Sequence, residues 1–343
     1  MGCKTCITTE ETLNLEKNYE FIGLYRFINK SGECYINSII QILFHNDLIL
    51  NTLNSIEQID INKEQNEGKL ILAIQNLLIK IKNHESILDP IGIKNAMILI
   101  NDDYKNNSAD ANDFICDFIN ELTMEIPKKE EYSINFPTEE LAFLSLKKLI
   151  KRFYNKNNSI FIDLFYGNNL IEYYCQKNNH LIDVKFNNFI TIDLSIFKFM
   201  ERNSIYIEEI LDDNFSLKEQ DNMRMCKLCK KEIVYCERNY IYNLPKILIL
   251  YINRNINDSF FNNMIEFNEE INMKKYIKNE KDFNTRYKLT GIVQNINGHF
   301  NSATINNYDN NWYFFNDEKE PSLLSRNDIY KFNPTFLFYY LLE

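Results

Sequence analysis

A cysteine before a helix, a histidine after a glycine and an Asn-Asp pair closing an aromatic strand are the side chains of this sequence that could carry covalent chemistry. Cys34 precedes a run in which Ile36, Ile39, Ile40, Leu43 and Phe44 recur at helical spacing, so an amphipathic helix with one buried face is expected after it. Ser31-Gly32 breaks any helix upstream and leaves Cys34 at the first turn, where unpaired amides and the positive end of the helix dipole favour the nucleophilic thiolate. Such a nucleophile needs a base, and the base needs a group to orient it. Of the four histidines, His45 ends the Cys34 helix itself, His84 lies in a charged, solvated helical stretch, and His180 follows Asn178-Asn179 after Cys175. His299 follows Gly298 at the head of a predicted strand, so a turn presents its ring at a sheet edge. The strand Trp312 to Phe315 is expected beside it, and either Asn316 or Asp317 could accept the imidazole N–H and fix its tautomer. Taken singly, these are also an ordinary half-buried cysteine, a turn and a strand terminator.

The elements that must position these groups fall into two regions. Helices are expected over Lys69 to Ile81, from Asp89-Pro90 onwards, over Ala111 to Leu122, and from Thr138 to about Phe153. After Asn158, β-branched and aromatic runs separated by Asn-rich turns predict strands at Ser159 to Phe165, Phe189 to Leu194, Ile233 to Tyr242 and Ile247 to Ile252. Tyr287 to Val293, Phe300 to Ile305, Trp312 to Phe315 and Phe336 to Leu341 predict a late antiparallel sheet, and helices segregated from such a sheet make an α+β fold. Residues 1–20 read as a flexible lead-in.

A net charge of -10 excludes nucleic acid as the main partner and suits a basic protein or peptide. No apolar run reaches membrane-spanning length and no secretory signal is visible, so a cytoplasmic location is expected, with the nucleus as the alternative. Gly2 and Cys3 suggest acylation, but the myristoylation pattern asks for Ser or Thr where Cys6 stands, which argues against a lipid anchor. Eight cysteines, unevenly spaced, point to thiolate chemistry or metal binding rather than disulfides. Cys226-Lys-Leu-Cys229 has the spacing of a zinc knuckle.

Asn29 to Gln41 resembles the cysteine box of the ubiquitin-specific proteases, N-x-G-x-T-C-Y-x-N-S-x-x-Q. Tyr287 to Leu289, Gly298-His299-Phe300 and Trp312 to Asp317 resemble the family's histidine box, and Phe336 to Tyr339 its closing strand. Asp110 to Phe114 is similar to the internal Q-D-A-x-E-F motif, and Leu244 to Leu248 to L-P-x-x-L. The resemblance implies a papain-like fold with a helical thumb (about 21–125), a β-sheet palm (about 126–343) and β-fingers (about 165–250) inserted in the palm, the catalytic domain spanning 21–343. It implies Cys34 as nucleophile, His299 as general base and then acid, Asn316 as orienting residue, Asn29 as oxyanion donor and Asp317 in a supporting polar role. The substrate implied is ubiquitin joined through its C-terminal glycine to a lysine, hydrolysed through a thioester without a cofactor, with Asp110 and Asp113 facing ubiquitin's basic tail.

The sequence departs from the pattern in having Gly32 two residues before Cys34 rather than three, and Glu33 in place of Thr. A carboxylate there is expected to raise the thiol pKa and slow catalysis. The family's fingers pair two CxxC knuckles around zinc; here the first has only Cys175, and His180 is expected to complete a Cys3His set with Cys226 and Cys229, with Cys236 in reserve. Two rival readings remain open at this point: a protease for a ubiquitin-like modifier, and an inactive ubiquitin-binding module.

Overall fold

The computed structural model describes residues 23–56, 69–105, 109–126, 159–256, 259–278 and 284–342. The expected lead-in, Gly2, Cys3 and Cys6, and the expected helix from Thr138 lie outside them.

Five helices come first: α1 (Cys34–Phe44), α2 (Asp47–Ser55), α3 (Lys69–Lys82), α4 (Ile91–Ile98) and α5 (Ala111–Glu125). The starts of α2, α3 and α5 are set by side chains that satisfy the unpaired first-turn amides. Asn46 accepts from Leu48 and Ile49 to begin α2, and Asp110 from Asn112 and Asp113 to begin α5. The amides of Leu70 and Ile71 on α3 are met by the buried Glu125 carboxylate at the far end of α5, which ties the two helices together.

The run expected to be a strand at Ser159 to Phe165 is instead a short helix, α6 (Ile160–Phe165). Ser159 caps it through a hydrogen bond from the Phe161 amide, and Phe161, Ile162, Leu164 and Phe165 are all buried. Four apolar residues spaced this way satisfy a helix turn as well as a buried strand, and the cap decides between them.

Two sheets follow. The strands β1 (Gly167–Cys175), β2 (Leu181–Phe189), β4 (Leu217–Cys226) and β5 (Lys231–Asn243) form an antiparallel sheet in the order β2-β1-β5-β4, and β3 (Thr191–Ser195) and helix α7 (Ile207–Asn214) belong with the larger sheet. That sheet comprises β10 (Ser322–Leu324), β9 (Trp312–Phe315), β8 (His299–Ile305), β7 (Arg286–Ile296), β11 (Pro334–Leu341), β6 (Ile247–Asn253) and β3 in spatial order, with Glu270–Asn272 also paired to β7. Its pairings are antiparallel except for β3 with β6. The expected strand Phe189 to Leu194 is broken at Ile190, where the chain passes from one sheet to the other.

The large sheet is buried on both faces, and alternation along its strands shows it. Ile247, Ile249, Tyr251, Phe336 and Phe338 join the core shared with the helices, whereas Leu248, Leu250, Ile252, Leu337 and Tyr339 join a second core with α7. The architecture is α+β, as expected.

Helix α1 lies between this sheet and α5, so all eleven of its residues are buried rather than one face alone. Three of its polar side chains donate to backbone carbonyls: Ser38 to Cys34 O, Gln41 to Tyr25 O and Asn37 to Ile28 O. Tyr35 meets the Phe114 ring edge-on with centroids 5.3 Å apart. On the sheet side the helix approaches so closely that a Cβ on Gly291 would lie 2.5 Å from Ile42. Gly291→Val is therefore expected to push α1 off β7 and destabilise the fold by about 1–3 kcal/mol. Chemical denaturation checks this, and an unchanged midpoint would refute it.

Candidate active site

The nucleophile candidate opens α1, and the base candidate opens β8. Between β7 and β8 the chain turns in two residues: Ile296 pairs with His299, while Asn297 (φ 54°) and Gly298 (φ 86°) both take left-handed conformations. This is a type I′ hairpin, for which Asn-Gly is a strongly preferred dipeptide. It delivers His299 to the sheet that packs on α1, and the following residue, Phe300, lines the same cavity as Cys34.

The imidazole Nε2 lies 2.8 Å from Asn316 Oδ1 and 3.7 Å from Asp317 Oδ2. With Nε2 engaged as donor, Nδ1 is the ring nitrogen left to accept a proton, and it has no hydrogen bond among the described residues. Asp317 is held from the other side: Asn29 Nδ2 donates to Oδ2 and Asn37 Nδ2 to Oδ1, each at 2.8 Å. Asn29 in turn accepts the Gly32 and Glu33 amides on its Oδ1, at 3.0 and 2.9 Å. His299, Asn316, Asn29 and Asp317 thus come together from the two ends of the chain, and the Asp317 charge reaches Cys34.

Burial raises the Cys34 thiol above its ordinary pKa, and the Asp317 charge adds to this against the amides of Phe300, Tyr35 and Cys34 itself. The expected thiolate preference at a helix tip is overridden, because removing the sulfur from water costs the anion more than the first-turn amides return. Burial therefore disfavours the resting thiolate, and a base that takes the thiol proton would offset this.

Glu33 does not act as expected either. Burial opposes its charge, but hydrogen bonds from Ser31 and Lys94 outweigh burial and hold the carboxyl at about 2. Lys94 Nζ lies 2.9 Å from Glu33 Oε1, and both side chains are almost fully enclosed. The carboxylate is neutralised there and is not among the groups perturbing Cys34. A depressed carboxyl stabilises the fold above the ordinary carboxylate range, and that contribution is lost as pH falls towards about 2.

A cavity of about 320 Å3 beside the thiol is lined by Cys34, Asp110, Tyr251, Arg254, Asn295 and Phe300, among others. Asp110 reaches it while capping α5; Asp113, one turn into the helix, does not line it. Burial and then the charges of Asp110, Asp117 and Asp103 raise the Asp113 carboxyl, so the start of α5 beside this cavity is acidic. His45 packs away from the cleft, its ring nitrogens against the carbonyls of Gln41 and Gly23. His84 sits exposed in the turn after α3.

At the far end of the smaller sheet, Cys175, His180, Cys226 and Cys229 place one ligand atom each within 4.8 Å of one another. The Cys175 and Cys229 sulfurs are 3.8 Å apart, and Cys226 Sγ is 3.7 Å from His180 Nδ1. Tetrahedral zinc with Zn–S near 2.3 Å and Zn–N near 2.0–2.1 Å requires edges of roughly 3.5–3.8 Å, so the set fits a structural zinc. The His180 hydrogen bond lowers the Cys226 thiol to about 6, which favours the thiolate a metal needs. The reserve candidate Cys236 is outside the cluster, on β5 opposite Tyr174 and Glu219.

The ubiquitin carboxyl-terminal hydrolase family model matches residues 25–339. The chain belongs to that family. It is 22% identical over 97% of its length to ubiquitin carboxyl-terminal hydrolase 4 of Saccharomyces cerevisiae (strain YJM789), covering 41% of that protein. It is 24% identical over 96% of its length to ubiquitin carboxyl-terminal hydrolase Usp2 of Drosophila melanogaster, covering 36%. The chain thus spans less than half the length of these relatives. Among solved structures it resembles a chain of the SAGA DUB module bound to monoubiquitin, with a TM-score of 0.74 at 19% identity, covering 97% of this chain and 75% of that one. The module bound to ubiquitin aldehyde gives 0.71 at 20% identity, over 94% and 70%. The fold is that of the papain-like ubiquitin hydrolases.

Within this ubiquitin carboxyl-terminal hydrolase fold, sequence reasoning missed Asn37, Ser31 and Lys94. Asn37 stood in the cysteine box as a motif letter, with no sign that it grips a carboxylate 280 residues away. Lys94 carried no signal at all, since its partner lies 61 residues upstream. Among the described residues no helix is long and apolar enough to cross a membrane.

Proposed function

We propose that this chain is a deubiquitinating thiol protease, hydrolysing the isopeptide bond after the C-terminal glycine of ubiquitin. The observation that carries the reading is a His299 ring whose Nε2 is anchored on Asn316, delivered by a strand that packs on the helix Cys34 opens. His299 Nδ1 takes the Cys34 proton as sulfur attacks the glycine carbonyl. The resulting oxyanion is met by the Asn29 amide, which has a second N–H beyond the one given to Asp317, a term worth on the order of 3 kcal/mol. His299 then protonates the departing lysine amine, leaving a thioester, and removes a proton from the water that hydrolyses it.

Asn316 fixes the ring, and Asp317 stabilises the imidazolium and holds Asn29. The acidic rim with Asp110, and Asp113 behind it, suits a substrate tail carrying basic residues. The helices α1 to α5 form the thumb, the large sheet the palm and the smaller sheet the fingers, with the boundaries given above. No cofactor enters the chemistry, and thiol and thiolate sites of this kind stay reduced in the cytoplasm or nucleus.

Ubiquitin carrying a C-terminal electrophile tests the proposal. Covalent labelling that disappears in Cys34→Ala, with ubiquitin binding retained, is the expected result. Labelling only by another modifier would move the substrate assignment, and binding without labelling of the unaltered protein would overturn the enzymatic one.

A further inference from the structure

We propose that Lys94 and Glu33 are positioning residues for the proposed hydrolysis: their buried ion pair clamps the Asn29–Glu33 loop so that Asn29 faces the reacting carbonyl. The inference rests on the thiol protease reading above. It concerns a part of the site where this chain departs from the cysteine box, with Glu33 before the nucleophile and Gly32 displaced.

The loop is closed by two separate devices. On one side Asn29 Oδ1 accepts both the Gly32 and Glu33 amides, which turns the Asn29 Nδ2 group towards Asp317. The turn needs a left-handed residue, and Gly32 supplies it with φ 79°. On the other side the Glu33 carboxylate folds back on Ser31, accepting its N–H and its hydroxyl, each at 2.6 Å. Lys94 then crosses from α4 to close both: its ammonium reaches Glu33 Oε1 at 2.9 Å and Ser31 O and Oγ at 3.1 Å. Lys94 and Glu33 are exposed by only 6% and 2%, so water cannot substitute for either partner.

A surface ion pair would leave such a loop free, because solvent screens it and its side chains move. A buried pair with additional hydrogen bonds is costly to remove from water and admits few geometries, which fixes the loop relative to α4. Asn29 is the loop residue that touches the reacting group in the proposed mechanism, and Lys94 and Glu33 act through it. A donor misplaced by a fraction of an ångström loses most of its effect on a developing oxyanion while leaving substrate binding nearly intact. The signature of positioning is thus a fall in kcat with KM preserved.

Steady-state hydrolysis of a ubiquitin C-terminal fluorogenic amide by the purified full chain tests this, alongside thermal melting. Lys94→Met leaves Glu33 buried and unpaired, and is expected to lower both kcat and the melting temperature. The double variant Glu33→Gln with Lys94→Met removes both charges; it is expected to melt near the unaltered protein yet keep kcat at least tenfold low with KM within about twofold. Lys94→Arg, which retains the charge, is expected to recover most of kcat. A folded double variant with unaltered kcat, or one whose KM rises as much as kcat falls, overturns the proposal. If the unaltered protein fails to hydrolyse the amide, the function reading fails on its own. The clamp is then read from iodoacetamide alkylation of Cys34, where an unchanged rate in the folded double variant overturns it and a changed rate supports it.

Discussion

Asp317→Ala should lower kcat on the order of a thousandfold, whereas Asn316→Ala should lower it only about tenfold. The order reverses what motif position suggests, since Asn316 makes the shorter contact with the ring. Asn316 offers one neutral hydrogen bond at 2.8 Å, and such a bond is worth about 1 kcal/mol net. When it is lost, Asp317 Oδ2, already 3.7 Å from the same nitrogen, is near enough to take its place after a small shift. Asp317 has no such understudy. Its side chain is 8% exposed and carries the charge that stabilises an imidazolium, and its loss strands the amides of Asn29 and Asn37 together. Kinetics with the fluorogenic amide give the two values, and equal losses would disprove the hierarchy. A second reading has the opposite sign. Asp317 helps to raise the Cys34 pKa, so Asp317→Asn should shift alkylation of the resting thiol to lower pH even as turnover falls.

One zinc per chain is the second large effect expected, and its removal should melt the end of the smaller sheet. Around the Cys175, His180, Cys226 and Cys229 set the apolar packing is slight: among the described residues, Ile233 is the only buried one clustered there besides Cys175 and Cys226, with Ile182 and Cys229 partly covered. Bringing three thiols together without a metal provides little cohesion, whereas metal binding of this type in small zinc modules provides about 10–16 kcal/mol. Cys229→Ser or chelation is therefore expected to expose the amides near Cys175 and Cys226 to hydrogen exchange. The amides of α1 should stay protected, because that helix belongs to a different core. Elemental analysis and exchange mapping check both statements, and a metal-free chain with a protected sheet end would refute them.

What the sequence disclosed follows from the range of the interactions involved. The Cys34 helix, the Asn297-Gly298 turn and the spacing of Cys226 and Cys229 are local, and turn chemistry or periodicity announces each. The strand expected at Ser159 to Phe165 failed because a short apolar run carries too few turns to reveal its period. Charge neutralisation of Glu33 was hidden for another reason: a carboxylate beside a nucleophile looks harmful until the lysine that folds over it is known. The preference for thiolate at a helix tip was sound as a local rule. It gave way to burial, which depends on everything packed around α1 and so cannot be read from the tip. Asp110 illustrates the double use of one residue, since its carboxylate starts α5 and also borders the cleft.

The hairpin that carries His299 leaves the chain no slack. In a strand, neighbouring side chains point to opposite sides, so one added residue would aim the imidazole away from the sulfur. A two-residue connection with both backbones left-handed has no spare length in which to absorb an insertion. This junction acts as an indexing pin, tolerant of changes in side chain away from Asn297 and Gly298 and intolerant of any change in length. Length variation among related chains should therefore collect in their other connections.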